Sequence, residues 1–146
     1  MFTRGNSMFT TEEIEQANSI SAGCMIGALG IRFIAGEPGT FCATMPVEPR
    51  THQPMGLLHG GATAALAESL GSTGSYMLID RERHAVVGIE VNANHLRGVR
   101  SGTVKAIGQL VHKGRTTHVW DIRVEDEQGT LVALCRLTNL VIERRA

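Results

Sequence analysis

Glu68 is the one carboxylate in the stretch LLHGGATAALAESLGS, residues 57–72. Its neighbours three and four positions away on a helix are Ala64, Ala65, Gly71 and Ser72, none of them a cation. On a wet face this would be an ordinary solvated glutamate. Flanked by small side chains, it also has room beside it for a reacting group, as a general base or a nucleophile needs. The same stretch enters its helix through His59, Gly60 and Gly61. A helix start leaves its first N–H groups unpaired and carries partial positive charge. Glycine lets a ligand reach those donors, which suits a carbonyl oxygen that turns negative in a tetrahedral transition state. The plainer reading of Gly-Gly is a tight entry from loop to helix. His59 sits at the mouth of the same site.

Spacing relates the two features. Eight residues separate Gly60 from Glu68, about 12 Å along a helix axis. A glutamate side chain covers only part of that, so the two groups of one chain cannot grip one carbonyl. Antiparallel helices from two copies could bring Glu68 of one to Gly60 of the other. An enzyme using both groups is therefore expected to be a homodimer with two shared sites.

These residues need elements to position them. Thr10 and Glu13 have capping-box spacing, which predicts a short helix over about residues 11–20. GALGIRFIAG (27–36) and GTFCATMPV (39–47) read as strands, with EPG (37–39) turning between them and EPRTHQPMG (48–56) as a loop. Residues 59–78 form the long helix, rich in alanine, with Gly71 and Gly74 clearing space for a close neighbour. Four strands follow, over 84–96, 102–112, 116–126 and 131–142. Their short connections imply antiparallel pairing. The expected architecture is α+β, a curved antiparallel sheet wrapped around one long central helix.

Length and composition narrow the class. The chain of 146 residues fits a single domain, 1–146, with residues 1–9 read as a loose tail. Basic and acidic residues number 14 each, which gives no electrostatic case for nucleic acid or a membrane surface. Cys24, Cys42 and Cys135 make an odd count without metal-ligand spacing, so neither a disulfide framework nor a zinc site is expected. The N-terminus lacks the apolar core of a signal peptide, and no apolar run is long enough to span a bilayer. A cytoplasmic protein is expected.

The run PVEPRTHQPMGLLHGGATAALAESLGS resembles the hotdog-fold acyl-CoA thioesterases, in the branch of PaaI and the Arthrobacter-type 4-hydroxybenzoyl-CoA thioesterases. VVGIEVNANHLR (86–97), HKGR (112–115) and DEQGTLVALCRLTNLVI (126–142) extend the likeness over nearly the whole chain from about Met25. Within that branch it looks most like the enterobactin proofreading thioesterases and the 1,4-dihydroxy-2-naphthoyl-CoA thioesterases. The resemblance implies that Glu68 is the catalytic carboxylate, as nucleophile or as base on water. It implies that the Gly60 N–H polarises the thioester carbonyl, that Gln53 helps position that group, and that His59 supports the site near the leaving thiol. Ser72 would hold the water or the carboxylate. Coenzyme A binding is implied for Gly88, for His95, Leu96, Arg97 and Gly98, and for His112, Lys113, Gly114, Arg115, Thr116 and Thr117. Bottom-up, Arg97, Arg100, Lys113 and Arg115 lie at strand ends or turns where they can reach phosphates; solubilising surface charge is the plainer reading. His52, His84 and His118 are assigned no role, a histidine in a strand being more often structural.

The expected reaction is hydrolysis of an aryl- or medium-chain acyl-CoA, or acyl-carrier-protein, thioester to acid and thiol. No metal or cofactor is required, coenzyme A being part of the substrate. The family implies a dimer of dimers with sites shared between chains. Two alternatives stand beside this. A hotdog enoyl-CoA hydratase or dehydratase would pair a loop histidine with the helix carboxylate, but the His-Phe-Pro type of loop is absent. A non-catalytic acyl-CoA-binding protein would leave Glu68 without a reason.

Overall fold

The computed structural model describes residues 7–145. Helix α1 spans Thr11–Ser21, and its capping box forms: the Glu13 N–H donates to Thr10 Oγ1 at 3.2 Å, and the Thr10 N–H to Glu13 Oε2 at 2.8 Å. A short helix α2 (Met25–Ala28) and strands β1 (Arg32–Ala35) and β2 (Thr40–Pro46) follow. One 3₁₀ turn, Pro49–Thr51, leads towards the long helix α3, Gly60–Met77. Strands β3 (His84–His95), β4 (Thr103–Lys113), β5 (Thr117–Glu125) and β6 (Leu131–Glu143) complete the chain.

Two expectations are corrected. Residues 27–36 are not one strand: they divide between the end of α2 and β1. Gly30, at φ 70°, makes the break. The Ile31 N–H donates to Ile26 O and the Gly30 N–H to Gly27 O, both at 3.0 Å, the bonding of a Schellman stop. The loose tail expected over 1–9 does not include Phe9, which is buried and meets Phe41 edge-on at 4.9 Å; residues 1–6 lie outside the described residues.

The six strands form one antiparallel sheet in the order β1-β2-β4-β5-β6-β3. Strands β4, β5 and β6 pair in sequence, but β3 pairs with β6 and not with β4. This puts the twelve residues of β3 at the sheet edge. The connection that follows is pinned back on the sheet, with the Leu96 and Arg97 N–H groups both donating to Val132 O. The Leu58 N–H bonds Val99 O, tying that connection to the entry of α3.

Helix α3 lies across one face of the sheet, and the core forms between them. Leu66 and Leu70 from the helix meet Phe41, Trp120, Ile122 and Leu137 from the strands, all fully buried. The helix settles close because Gly71 and Gly74 lack side chains. A Cβ on Gly74 would lie 2.7 Å from the Trp120 ring, and one on Gly71 would strike Leu137. Any larger residue there would have to push the helix off its bed.

Candidate active site

The predicted residues sort into two groups at opposite ends of the sheet. The first surrounds the start of α3. His59 is the N-cap, and its Nδ1 accepts the Gly61 N–H at 2.8 Å. That answers why a histidine stands where serine or aspartate is usual: the imidazole nitrogen takes one of the orphan donors. The Gly60 N–H has no acceptor among the described residues. Gly60 lines a cavity of about 400 Å³ with Gln53, His95, Leu96, Arg97 and Gly98. Gln53 is fixed by its backbone, its N–H donating to Leu57 O at 2.8 Å, and its side-chain oxygen accepts the Met55 N–H. So residues from the 53–57 turn, the helix start and the end of β3 converge on one open N–H donor.

The second group lies two turns further along α3. The Ser72 hydroxyl stands 3.1 Å from Glu68 Oε1. Gly88 of β3 lies under the carboxylate: a Cβ there would collide with Glu68 Oε1 and come within 3.0 Å of Cδ. Beside the carboxylate opens an apolar pocket of about 280 Å³, lined by Met25, Ile26, Ala64, Ala65, Ser69 and Val91. Glu68 is therefore half-buried between a small-residue pocket and a bare stretch of backbone, and not on a wet face. The pairing register shifts between Gly88 and Glu90, leaving Ile89 as a bulge.

The segment His112, Lys113, Gly114, Arg115, Thr116 and Thr117 ends β4, makes the turn and opens β5. The Gly114 N–H donates to Thr117 O, and Thr116 O accepts the Val141 N–H, each at 2.8 Å. By register Thr117 is opposite Leu140, which is opposite Val87. The turn thus belongs to the Gly88 end of the sheet, whereas His95–Gly98 belongs to the Gly60 end. The Arg100 guanidinium donates to Met55 O at 3.4 Å.

Behind Glu68 runs a buried polar chain that the sequence reading missed. Asn139 Nδ2 donates to Gly71 O at 3.1 Å and to Ser75 Oγ at 3.0 Å, and its Oδ1 is 3.1 Å from Ser72 Oγ. Trp120 Nε1 donates to Ser75 Oγ at 2.9 Å, and His118 Nδ1 is 3.0 Å from the same oxygen. Burial pulls the His118 pKa below the ordinary histidine value, with Lys113 and His112 adding to the effect. Two signals could have revealed the chain. Glu68, Ser72 and Ser75 fall at i, i+4 and i+7, one helix face, and Asn139 is a lone amide in the apolar run 131–142. The buried thiols are not part of the site: burial pushes Cys42 up, and Cys135 to about 11, so neither is a nucleophile at neutral pH.

A six-stranded antiparallel sheet on one long helix, with an open N–H at the helix start and a carboxylate two turns on, is the architecture of a hotdog thioesterase. The sequence pattern of the thioesterase superfamily matches residues 55–133, and the chain belongs to that family as a thioester hydrolase. Thioesterase PA1618 of Pseudomonas aeruginosa, solved as a glutamine-to-alanine mutant, superposes with a TM-score of 0.89 at 50% identity, over 92% of this chain and 97% of that one. The 1,4-dihydroxy-2-naphthoyl-CoA hydrolase of Escherichia coli K12 is 45% identical over 88% of this chain and 94% of its own. The proofreading thioesterase EntH of Cronobacter sakazakii is likewise 45% identical, over 88% and 93%.

Proposed function

We propose that the protein hydrolyses an aryl- or medium-chain acyl thioester of coenzyme A, or of an acyl-carrier protein, in active sites shared between two copies of the chain. The separation of Glu68 from the open Gly60 N–H carries this reading. The acyl group would occupy the apolar pocket beside Glu68 of one copy. Its thioester carbonyl would take the Gly60 N–H of the other, with Gln53 alongside. Glu68 attacks the carbonyl carbon or draws a proton from the attacking water, and the carbonyl pair moves to the oxygen, which gains negative charge against the helix start. As that pair returns, the C–S bond breaks and the sulfur leaves past His59 as thiolate, to be protonated by Glu68 or by solvent. In the first route water then cleaves the mixed anhydride. The reaction as drawn needs no metal or redox cofactor. Arg97, and the turn 112–117 with Lys113 and Arg115, would meet phosphates of the coenzyme.

The edge strand β3 supports the shared site. It exposes Val87, Ile89 and Val91 together with one open row of backbone donors and acceptors, which a solvated edge would not retain. Antiparallel pairing with a second β3 would bring the His95 end of one chain to the Gly88 end of the other, uniting the two groups. A dimer of dimers follows from the family resemblance. The name of the E. coli relative, an aryl-CoA hydrolase, supports an aryl acyl group. Three free cysteines and a CoA substrate fit a cytoplasmic enzyme.

The test is complementation. Glu68→Ala and Gln53→Ala should each lose most of kcat, read as thiol release over a panel of aryl- and alkyl-CoA thioesters. Mixing the two after subunit exchange should restore up to about a quarter of wild-type activity, because half the dimers are mixed and each has one intact site. Wild-type turnover by Glu68→Ala rejects Glu68; no recovery on mixing, with exchange verified, rejects the shared site.

A further inference from the structure

The polar chain behind Glu68 contains one proton too few, and this assigns work to Asn139. Its amide orientation is fixed. Both Nδ2 hydrogens are used, one on Gly71 O and one on Ser75 Oγ, so Oδ1 must face Ser72 as an acceptor. Ser75 Oγ already accepts from Trp120 Nε1 and Asn139 Nδ2. Its own hydrogen is therefore free for His118 Nδ1, which accepts it as a neutral imidazole. Each of these four contacts then pairs one donor with one acceptor. Ser72 is the exception. Its oxygen is 3.1 Å from both Glu68 Oε1 and Asn139 Oδ1, and it has a single hydrogen to give.

The placement is not incidental. Gly88, Asn139 and His118 stand side by side across β3, β6 and β5. Glu68, Ser72 and Ser75 form the helix ridge laid along that row. Asn139 and Ser75 are fully buried, and His118 nearly so, so no bulk water supplies alternatives, and a missing bond there is costly.

We propose that Asn139 is a positioning residue that acts on Glu68 through Ser72, taking the Ser72 hydroxyl hydrogen when Glu68 loses its charge. This rests on Glu68 being the catalytic carboxylate. While Glu68 is a carboxylate, the charge-assisted bond holds the Ser72 hydrogen on Oε1 and fixes the carboxylate orientation. When Glu68 takes a proton from the attacking water, the water O–H bond breaks, its oxygen uses that pair to bond the thioester carbon, the C=O π pair moves onto the carbonyl oxygen, and a new O–H forms on Glu68. That O–H can donate to Ser72 Oγ, and Ser72 turns its hydrogen to Asn139 Oδ1. If Glu68 instead bonds to the acyl carbon, the C–S bond breaks and the thiolate leaves with its pair; the carboxylate, now a neutral anhydride, has lost its charge and the Ser72 hydrogen turns the same way. In both routes Asn139 supplies an acceptor once Glu68, no longer charged, accepts only weakly.

The experiment is a double-mutant cycle of Asn139→Val with Ser72→Ala, followed by steady-state thiol release and thermal melting. Val fills similar space and suits a strand. Asn139→Val should lower kcat about tenfold, the worth of one hydrogen bond, with KM within about twofold. In the Ser72→Ala background the same change should cost less than about twofold, since its route to Glu68 is gone. Asn139→Thr, which restores an acceptor in the shape of valine, should recover activity. An equal loss of kcat in both backgrounds overturns the proposal, as does unchanged kcat in Asn139→Val. If the valine variant does not fold, Ser75→Ala, which frees the Asn139 amide to turn, carries the same cycle: a loss present with Ser72 and absent without it is expected, and an equal loss refutes. Glu68→Gln is run in parallel. If it turns over at the wild-type rate, the Glu68 reading itself fails. If it is inactive and the cycle is additive, only the role of Asn139 fails.

Discussion

Gly88→Ala separates two roles that its position allows. As a coenzyme-binding residue, Gly88 should affect KM; as the floor beneath Glu68, it should affect kcat. The geometry favours the second. A methyl group on Gly88 would overlap Glu68 Oε1 and stand 3.0 Å from Cδ and 3.2 Å from Oε2. Ordinary carbon contacts lie near 3.5–4.0 Å, so the carboxylate has to retreat by about 1 Å. It is the free end of a flexible side chain, so the retreat is cheap for the fold. The retreat also pulls Oε1 off the Ser72 hydroxyl at 3.1 Å. Displacement of a reacting group by about 1 Å costs on the order of 100-fold in rate. Stability should hold or rise slightly, because alanine is favoured over glycine within a strand by about 0.5–1 kcal/mol and Gly88 does not have a positive φ. The expected result is a kcat near a hundredth of wild type, an unchanged melting temperature, and no further loss when the change is added to Glu68→Ala. A variant that keeps kcat and raises KM would show that the residue serves the coenzyme and that the contact with Glu68 is incidental.

Two further outcomes are expected. Gly60→Ala places a methyl 2.9 Å from His95 Nε2 and 3.2 Å from its Cε1, crowding the cavity at its open N–H; kcat/KM should fall by about tenfold or more, a loss of about 1.4 kcal/mol in transition-state stabilisation, and full activity would remove Gly60 from the site. Stability should also depend on pH through His118. The folded state resists protonating this ring, whereas the unfolded chain takes the proton near the ordinary value of 6.5. The unfolded state then binds more protons, so the contribution is intact above that pH and is lost as pH falls below it towards the folded value. Denaturant titrations between neutral and mildly acidic pH should show this decline in the wild type and a shallower one in His118→Gln. Equal slopes would exclude His118 as its source.

Helix α3 and its unusual start were legible from residue types alone, as was the capping box of α1, because both depend on contacts within a few residues. The separation of Gly60 from Glu68 was legible for the same reason: helical rise per residue is fixed, so eight residues set the distance between them. The place of β3 was not. Short connections fix the direction of a neighbour but not its identity, and the loop after His95 is long enough to carry the chain back to β4 from the far side of β6. GALGIRFIAG misled because a short apolar run between glycines has no period that separates helix from strand. Asn139 and His118 were passed over because their roles depend on register between strands distant in sequence. Only that register sets them beside Gly88.

The packing of α3 and the placement of Glu68 rest on the same contacts. Trp120, the single tryptophan, lies fully buried under Gly71 and Gly74, and its Nε1 bonds Ser75 of the same helix. The indole therefore sets both the height of the helix above the sheet and its rotation. Ser72 and Glu68 are one and two turns back along the ridge that includes Ser75, so they inherit that height. Close approach lets Asn139 reach Ser72, Ser75 and Gly71 O with one amide. It also brings the Glu68 carboxylate down onto Gly88, where a Cβ would displace it. Small residues in α3 cost helix propensity at two positions. In return, the carboxylate is held by packed neighbours on a rigid helix, and its position does not rely on a mobile loop.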